Sequence, residues 1–185
     1  MALFSDLDFG GVREALRGDD PDLSDNAIGN DALSSIRIPQ GVQVVVYEHS
    51  HYRGRAELLT GDVINLRHSA VGNDSVSSIR VIRADGHGSG RDVGVVLFEH
   101  EQFGGRGIVL MGDQADLARS GLGNDALSSL RVPRGCRVTL FENDHFRGRR
   151  EVFTHDDADL RNNAIGSDRA SSIRIEWVGR DGHRQ

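Results

Sequence analysis

Two sequence signatures that decide the fold lie in residues 47–78, YEHSHYRGRAELLTGDVINLRHSAVGNDSVSS. The first is an aromatic pair followed by glycine, at Tyr47, Tyr52 and Gly54. A residue without a Cβ atom can take a positive φ, which lets a β-hairpin fold tightly back over its sheet. We therefore predict that the two aromatic side chains pack as a corner under that hairpin. The second signature is the loop NDSVSS at 73–78.

Both signatures occur four times, at constant spacing. The first aromatic residue of each copy lies 26 residues before the first polar residue of its loop, which is Asn30, Asn73, Asn124 or Ser167. A leucine precedes that polar residue by seven positions in every copy: Leu23, Leu66, Leu117 and Leu160. Such a register indicates four copies of one structural repeat.

The copies begin 43, 51 and 43 residues apart, and the extra residues fall in ADGHGSGRD, a composition typical of a linker. The sequence therefore predicts two domains of two motifs each. The predicted segments are domain 1 at 1–83 (motifs 1–40 and 41–83), a linker at 84–92, domain 2 at 93–178 (motifs 93–134 and 135–178) and a flexible tail at 179–185.

Each motif has the pattern of β structure. Runs such as VQVVVYEH and RVTLFEN are rich in β-branched and aromatic residues, and a strand with alternating apolar and basic residues follows each Ser-Ser pair. Short strands separated by glycine turns predict an all-β fold, with two Greek-key β-sandwich domains. Only VREAL at 12–16 and the stretches around the repeated leucines have a pattern that allows a turn of helix. The arginines of the last strands, Arg37, Arg80, Arg131 and Arg174, are expected to face solvent.

Composition argues against several classes of function. Acidic residues outnumber basic ones, 28 to 22, which is the wrong balance for binding nucleic acid. No window is apolar enough to cross a membrane, and the N-terminus lacks the pattern of a secretion signal. A single cysteine excludes an internal disulfide bond. We therefore expect a cytoplasmic protein, with non-classical export or deposition on a surface as the alternative.

No pattern of a catalytic site is present. The chain lacks a nucleophile elbow, a P-loop and a dinucleotide-binding fingerprint, so we expect that it is not an enzyme. His49 and His51 suggest a zinc site, but no third ligand or cysteine pattern accompanies them. Exposed histidines without a metal are the favoured interpretation.

Together the two signatures resemble those of the βγ-crystallins, in the calcium-binding version common among microbes. The resemblance covers residues 2–83 and 93–178. It implies two four-stranded sheets per domain, with the fourth strand of each motif exchanged into the sheet of its partner motif. It also implies calcium as the ligand, with two ions per domain.

The resemblance implies sites that take ligands from both loops of a domain, with loop positions counted from Asn30, Asn73, Asn124 or Ser167. One loop gives a backbone carbonyl and the side-chain hydroxyl of its fifth residue. The other loop gives the carboxylate of its second residue, and a hairpin gives a backbone carbonyl. All are oxygen ligands, as Ca²⁺ requires. In the first domain the sets are Ser75, Ser77, Asp31 and Ser5, and Ala32, Ser34, Asp74 and Glu48. In the second domain they are Arg169, Ser171, Asp125 and Glu99, and Ala126, Ser128, Asp168 and Glu142.

Three alternatives remain open. The loops could be plain turns, in which Asp and Ser bind nearby backbone. The chain could be a structural, coat or stress protein that self-associates with calcium, or an inhibitor-like protein that binds a protease. One loop departs from the pattern, with Ser167 in the first position and Arg169 in the third, and we expect weaker binding there.

Overall fold

The computed structural model describes residues 1–29, 32–72, 75–83, 94–122 and 126–177. Over these ranges the regular elements are β-strands and short 3₁₀ turns, which confirms the all-β prediction. The chain divides into two compact units, Met1–Gly90 and Arg91–Gln185. None of the helical turns in the described ranges has the length and apolarity that a membrane span needs.

The strands repeat in the same order in each unit. The first unit contains β1 (Ala2–Phe4), β2 (Arg13–Ala15), β3 (Ser35–Arg37), β4 (Val42–His49), β5 (Arg53–Leu59) and β6 (Ser78–Arg83). The second contains β7 (Val95–His100), β8 (Gly104–Leu110), β9 (Ser129–Arg131), β10 (Cys136–Asn143), β11 (Arg147–Phe153) and β12 (Ser172–Trp177). VREAL forms β2 rather than a helical turn, because its residues pair with β1 in antiparallel register.

Each repeated leucine begins a 3₁₀ turn: Leu23–Asp25, Leu66–His68, Leu117–Arg119 and Leu160–Asn162. These leucines are at most 2% exposed, so each inserts into the core of its unit. Burying a leucine side chain contributes roughly 1.5–3 kcal/mol. Two more 3₁₀ turns, Leu7–Phe9 and Glu101–Phe103, lie at hairpin tips.

Within each motif the first strand lies between the second and the last. β1 pairs with β2 and β3, β4 with β5 and β6, β7 with β8 and β9, and β10 with β11 and β12, always antiparallel. A register shift after the first aromatic residue, as between Tyr47 and His49 in β4, bends the hairpin. The last strand of every motif thus stays in the sheet of its own motif.

The segment that crosses between motifs is the third one, just before each repeated leucine. We call it the crossing segment, and its bridging residues are Asp20, Val63, Gln114 and Asp157. Asp20 pairs with Ile79 of the partner motif, and Val63 pairs with Ile36 in return. The expected exchange of the fourth strand is therefore wrong. The last strand pairs with the first strand of its own motif over three to six positions. Among the described residues, the bridges of the crossing segment go to the partner motif.

Candidate metal sites

The aromatic pairs form the predicted corners. Ring centroids lie 5.5–5.7 Å apart in all four motifs, in tilted or edge-to-face geometry. Gly11, Gly54, Gly105 and Gly148 have φ between 73° and 81°, which confirms the expected glycine conformation. The second aromatic of each pair also takes a positive φ, for example 59° at Tyr52. That conformation is costly for an aromatic residue, so neighbouring contacts must hold it in place.

The second serine of each Ser-Ser pair provides this support. Ser78 is fully buried, its hydroxyl donates to the His49 carbonyl at 2.7 Å, and it accepts the N–H of Tyr52 at 3.0 Å. The same two bonds recur around Ser35, Ser129 and Ser172. The two serines of the pair therefore have different roles. The second one fixes the hairpin, whereas the first one is the fifth residue of the candidate metal-binding loop.

An arginine two residues after this serine covers each corner. Arg37, Arg80, Arg131 and Arg174 place their guanidinium groups 4.2–4.7 Å from the ring centroid of the second aromatic residue. The expectation that these arginines face solvent holds for Arg37 and Arg174 only, since Arg80 and Arg131 are partly buried. Cation–π attraction explains the common geometry.

The first serine of each pair, the fifth residue of the loop, lies beside the hairpin of its own motif. Its backbone N–H donates to the carbonyl of the first aromatic residue, at 2.9–3.0 Å, in all four motifs. The Ser77 hydroxyl also donates to the Glu48 carbonyl at 2.8 Å. The predicted sets paired Glu48 with Ser34, whereas this bond places the Glu48 carbonyl beside Ser77 of its own motif. In the first motif the Ser34 N–H donates to the carbonyl of Phe4, the residue before Ser5.

The crossing segments bring the two loops of one unit together. The backbone N–H of Leu23 donates to the Ser77 carbonyl at 2.9 Å, and that of Leu66 donates to the Ser34 carbonyl at 3.0 Å. Leu117 and Leu160 do the same for Ser171 and Ser128. The repeated leucine thus couples each motif to its partner's fifth-position serine, in both directions.

The loop at 166–171 shows how an acid of one motif meets a hydroxyl of the other. The Ser128 hydroxyl donates to the Asp168 carboxylate at 3.1 Å, and Ser167 donates to the Ser128 oxygen at 3.0 Å. Asp168 has a φ of 56°, held by a bond from its N–H to the Leu127 carbonyl at 2.9 Å. The structure therefore brings together the predicted pair of Ser128 and Asp168.

The other predicted ligands divide into three groups. The acids Asp31, Asp74 and Asp125 lie outside the described residues. The fifth-position serines Ser34, Ser77, Ser128 and Ser171 are 5–9% exposed. The residues predicted to give carbonyls are half-buried in seven cases: Ser5, Ala32, Glu48, Ser75, Glu99, Ala126 and Glu142. The eighth, Arg169, is exposed.

The residue after the first aromatic also stabilises its hairpin through its side chain. The Glu48 carboxylate accepts the Arg55 backbone N–H at 3.2 Å and forms an ion pair with its guanidinium at 2.8 Å. The Arg55 hydrogen bond lowers the pKa of Glu48 to about 2. In the first motif Ser5 replaces the glutamate, and its hydroxyl accepts the Val12 N–H at 2.8 Å. The departure at Ser5 therefore keeps the hairpin bond.

Sequence analysis missed a set of four aspartates that tie the crossing segments to the partner motif. Asp19, Asp62, Asp113 and Asp156 accept a backbone N–H from the partner's last strand or from the residue directly after it, at 2.7–2.8 Å. Each lies 15 residues after the first aromatic residue of its motif, so a constant offset was available as a signal. These carboxylates are engaged in holding the fold together.

The chemistry of the donors fits calcium. The described part of the site offers one carboxylate, buried hydroxyls and backbone carbonyls, which are hard oxygen ligands. In the described ranges, no three His, Cys, Asp or Glu side chains converge as a transition metal would require. A calcium ion there would take its remaining ligands from water.

Comparison with known proteins gave concordant matches. The family model described as Beta/Gamma crystallin matches residues 1–82 and 94–175. A βγ-crystallin domain from Flavobacterium johnsoniae is 34% identical over 48% of this chain and 98% of its own, with a TM-score of 0.42. One from Clostridium beijerinckii is 30% identical over 46% and 99%, with a TM-score of 0.43.

The N-terminal domain of protein S is 29% identical over 45% of this chain and 96% of its own, with a TM-score of 0.42. No curated protein matched. The family model covers most of the chain, in two segments that each hold two of the repeated motifs. On that match, the chain belongs to the beta/gamma crystallin family.

Proposed function

We propose that this chain is a calcium-binding protein that takes up to two ions per unit through its paired loops. The observation that carries the proposal is the approach of Ser128 and Asp168 to 3.1 Å across two motifs. A hydroxyl and a carboxylate that already converge can both turn oxygen lone pairs toward one cation. With one carboxylate per ion, we expect a Kd on the order of micromolar or weaker.

Calcium would act on the stability of the fold. An ion that binds only the native state raises the free energy of unfolding by mass action, in proportion to the logarithm of its concentration. The loops contribute ligands from both motifs, so one ion would cross-link the two motifs of a unit. The role we propose is therefore binding and stabilisation rather than catalysis.

Calorimetric titration of the full chain with calcium tests the proposal. We expect heat of binding, a stoichiometry of up to four ions, and a rise in melting temperature. Replacing Ser34 and Ser77 together by Ala removes two hydroxyl ligands, and should reduce the stoichiometry by the contribution of the first unit. Magnesium serves as the control ion, because it requires shorter bonds and near-octahedral geometry. Absence of both heat and thermal shift with calcium would refute the function.

Self-association in the presence of calcium is a separate proposal. Size-exclusion chromatography with calcium and with a chelator distinguishes it from simple binding. A calcium-dependent shift to larger species would support assembly, and a monomer under both conditions would exclude it.

A further inference from the structure

A charged side chain from the second strand holds the segment that leads into each candidate loop. In the first unit that side chain is a carboxylate. The buried Glu57, 7% exposed, accepts the backbone N–H of Ala70, and Glu14 accepts the N–H of Ile28 at 3.4 Å. Ala70 lies four residues before Asp74, and Ile28 lies three before Asp31. Both loops of this unit are therefore anchored by negative charge.

In the second unit positively charged groups perform this task. The Arg106 guanidinium donates to the Gly121 carbonyl at 3.0 Å, and the Arg149 guanidinium donates to the Ala164 carbonyl at 3.0 Å. Gly121 lies four residues before Asp125, and Ala164 lies four before Asp168. A carboxylate remains in the last motif only, where Glu151 accepts the Ile165 N–H at 2.8 Å.

The two units differ at equivalent positions of the repeat. Ile108, fully buried, stands in the third motif at the position of Glu14 and Glu57, ten residues after the first aromatic. At the position of Arg106 the first unit has Val12 or Arg55. The Arg55 guanidinium donates to the Glu48 carboxylate at 2.8 Å, whereas that of Arg106 donates to the Gly121 carbonyl at 3.0 Å and also lies 3.7 Å from the Glu99 carboxylate. The first unit therefore has carboxylate anchors in both motifs, whereas the second has guanidinium anchors in both and keeps one carboxylate, that of Glu151.

We infer that the first unit binds calcium more tightly than the second, and that the charges of Glu57 and Arg106 set the difference. This inference rests on the proposed calcium function. A carboxylate near the loop attracts a divalent cation and a guanidinium repels it. Arg169, inside the fourth loop, adds a further positive charge to the second unit.

The size of the effect follows from Coulomb's law. A unit charge about 10 Å from a divalent ion in a water-like dielectric changes the Kd about threefold to fivefold. The effect is electrostatic, so it should be large at about 0.01 M salt and nearly vanish at about 1 M salt. A purely structural role of the anchors would not depend on salt in this way.

Each unit can be titrated within the full chain. A variant with Ser128→Ala and Ser171→Ala reports the first unit, and a variant with Ser34→Ala and Ser77→Ala reports the second. In the first background we expect Glu57→Gln to weaken calcium binding about threefold to fivefold. In the second we expect Arg106→Gln to strengthen it by a similar factor. Glutamine keeps a side chain able to accept or donate the anchoring bond while it removes the charge.

The matched control is Arg137→Gln, which removes an exposed guanidinium that pairs with Glu176 across β10 and β12. We expect no change in calcium affinity from this variant in either background.

Three results would overturn the inference: a second unit that binds as tightly as the first, an Arg106→Gln variant with unchanged affinity, or shifts that persist at high salt. If Glu57→Gln fails to fold, the Arg106→Gln result decides. A chain that binds no calcium at all refutes the proposed function, which is a different outcome.

Discussion

The Ser128 hydroxyl donates a hydrogen bond to the Asp168 carboxylate, although the two residues are 40 positions apart in the sequence. The bond joins the loops of two motifs in one unit. It fixes the distance between two of the oxygen ligands that the proposed site needs.

Replacing Asp168 by Ala should remove one calcium ion from the total bound. The change deletes the only carboxylate that the described residues give to that site, while the remaining sites keep theirs. Calorimetric titration would measure the stoichiometry. Asp25→Ala, in an exposed turn of the first unit, is the control and should leave it unchanged. An unaltered stoichiometry in the Asp168 variant would count against this ligand.

Gly54→Ala should lower the free energy of unfolding by about 1–2 kcal/mol, the cost of a left-handed conformation with a Cβ atom. Gly54 has a φ of 81°, and an added Cβ would lie 2.9 Å from the His49 ring. Gly61→Ala is the matched control in the same motif, because no atom lies within 4 Å of its Cβ position. Urea denaturation of both variants would measure the difference, and equal effects would contradict the hairpin argument.

Ser78→Ala should lower the free energy of unfolding by about 1–3 kcal/mol, because it leaves the His49 carbonyl and the Tyr52 N–H without their partner. The same substitution at Ser50, in the hairpin tip, tests whether any serine of this region has the effect. We expect little change there. Thermal unfolding monitored by circular dichroism would separate the two variants. Similar melting temperatures would exclude the assigned role of Ser78.

The ion pair of Glu48 and Arg55 should make stability depend on acid pH. The Arg55 hydrogen bond lowers the pKa of Glu48 to about 2 from its ordinary 4.5, so the folded state binds fewer protons in this range. The stabilisation is present above pH 4.5 and is lost as the pH falls toward 2. The free energy gap between the wild type and Glu48→Gln should shrink over that interval.

Denaturation with urea at several pH values, with a chelator present, would follow this gap. Arg55→Gln should show the same behaviour, since it removes the other partner of the pair. A gap that stays constant from pH 4.5 to 2 would show that the pair does not act in this way.

Much of the fold could be predicted because its determinants are local. The β-branched run predicts the strand from Val42 to His49, and the spacing of Tyr47, Tyr52 and Gly54 predicts the hairpin. These features depend on the conformational preferences of consecutive residues. Repetition at constant offsets then gave the number of motifs.

The errors concern contacts between distant segments. The sequence does not distinguish an exchange of the third segment from an exchange of the fourth, since Asp20 meets the partner motif at a single bridge. The Ser77 contact of the Glu48 carbonyl could not be predicted for the same reason, because Ser34 and Ser77 occupy equivalent positions in their loops. A repeat tells which residues are equivalent, and only the packing tells which copies meet.

The crossing segments make the motif incomplete by itself. The bridge between Ile36 and Val63 requires the partner, and so does the bridge between Asp20 and Ile79. A lone motif would leave the outer edge of its sheet open to solvent and to other chains. Gene duplication can therefore lengthen this architecture safely only in pairs of motifs, and a chain that gained one extra copy would carry an adhesive, aggregation-prone edge.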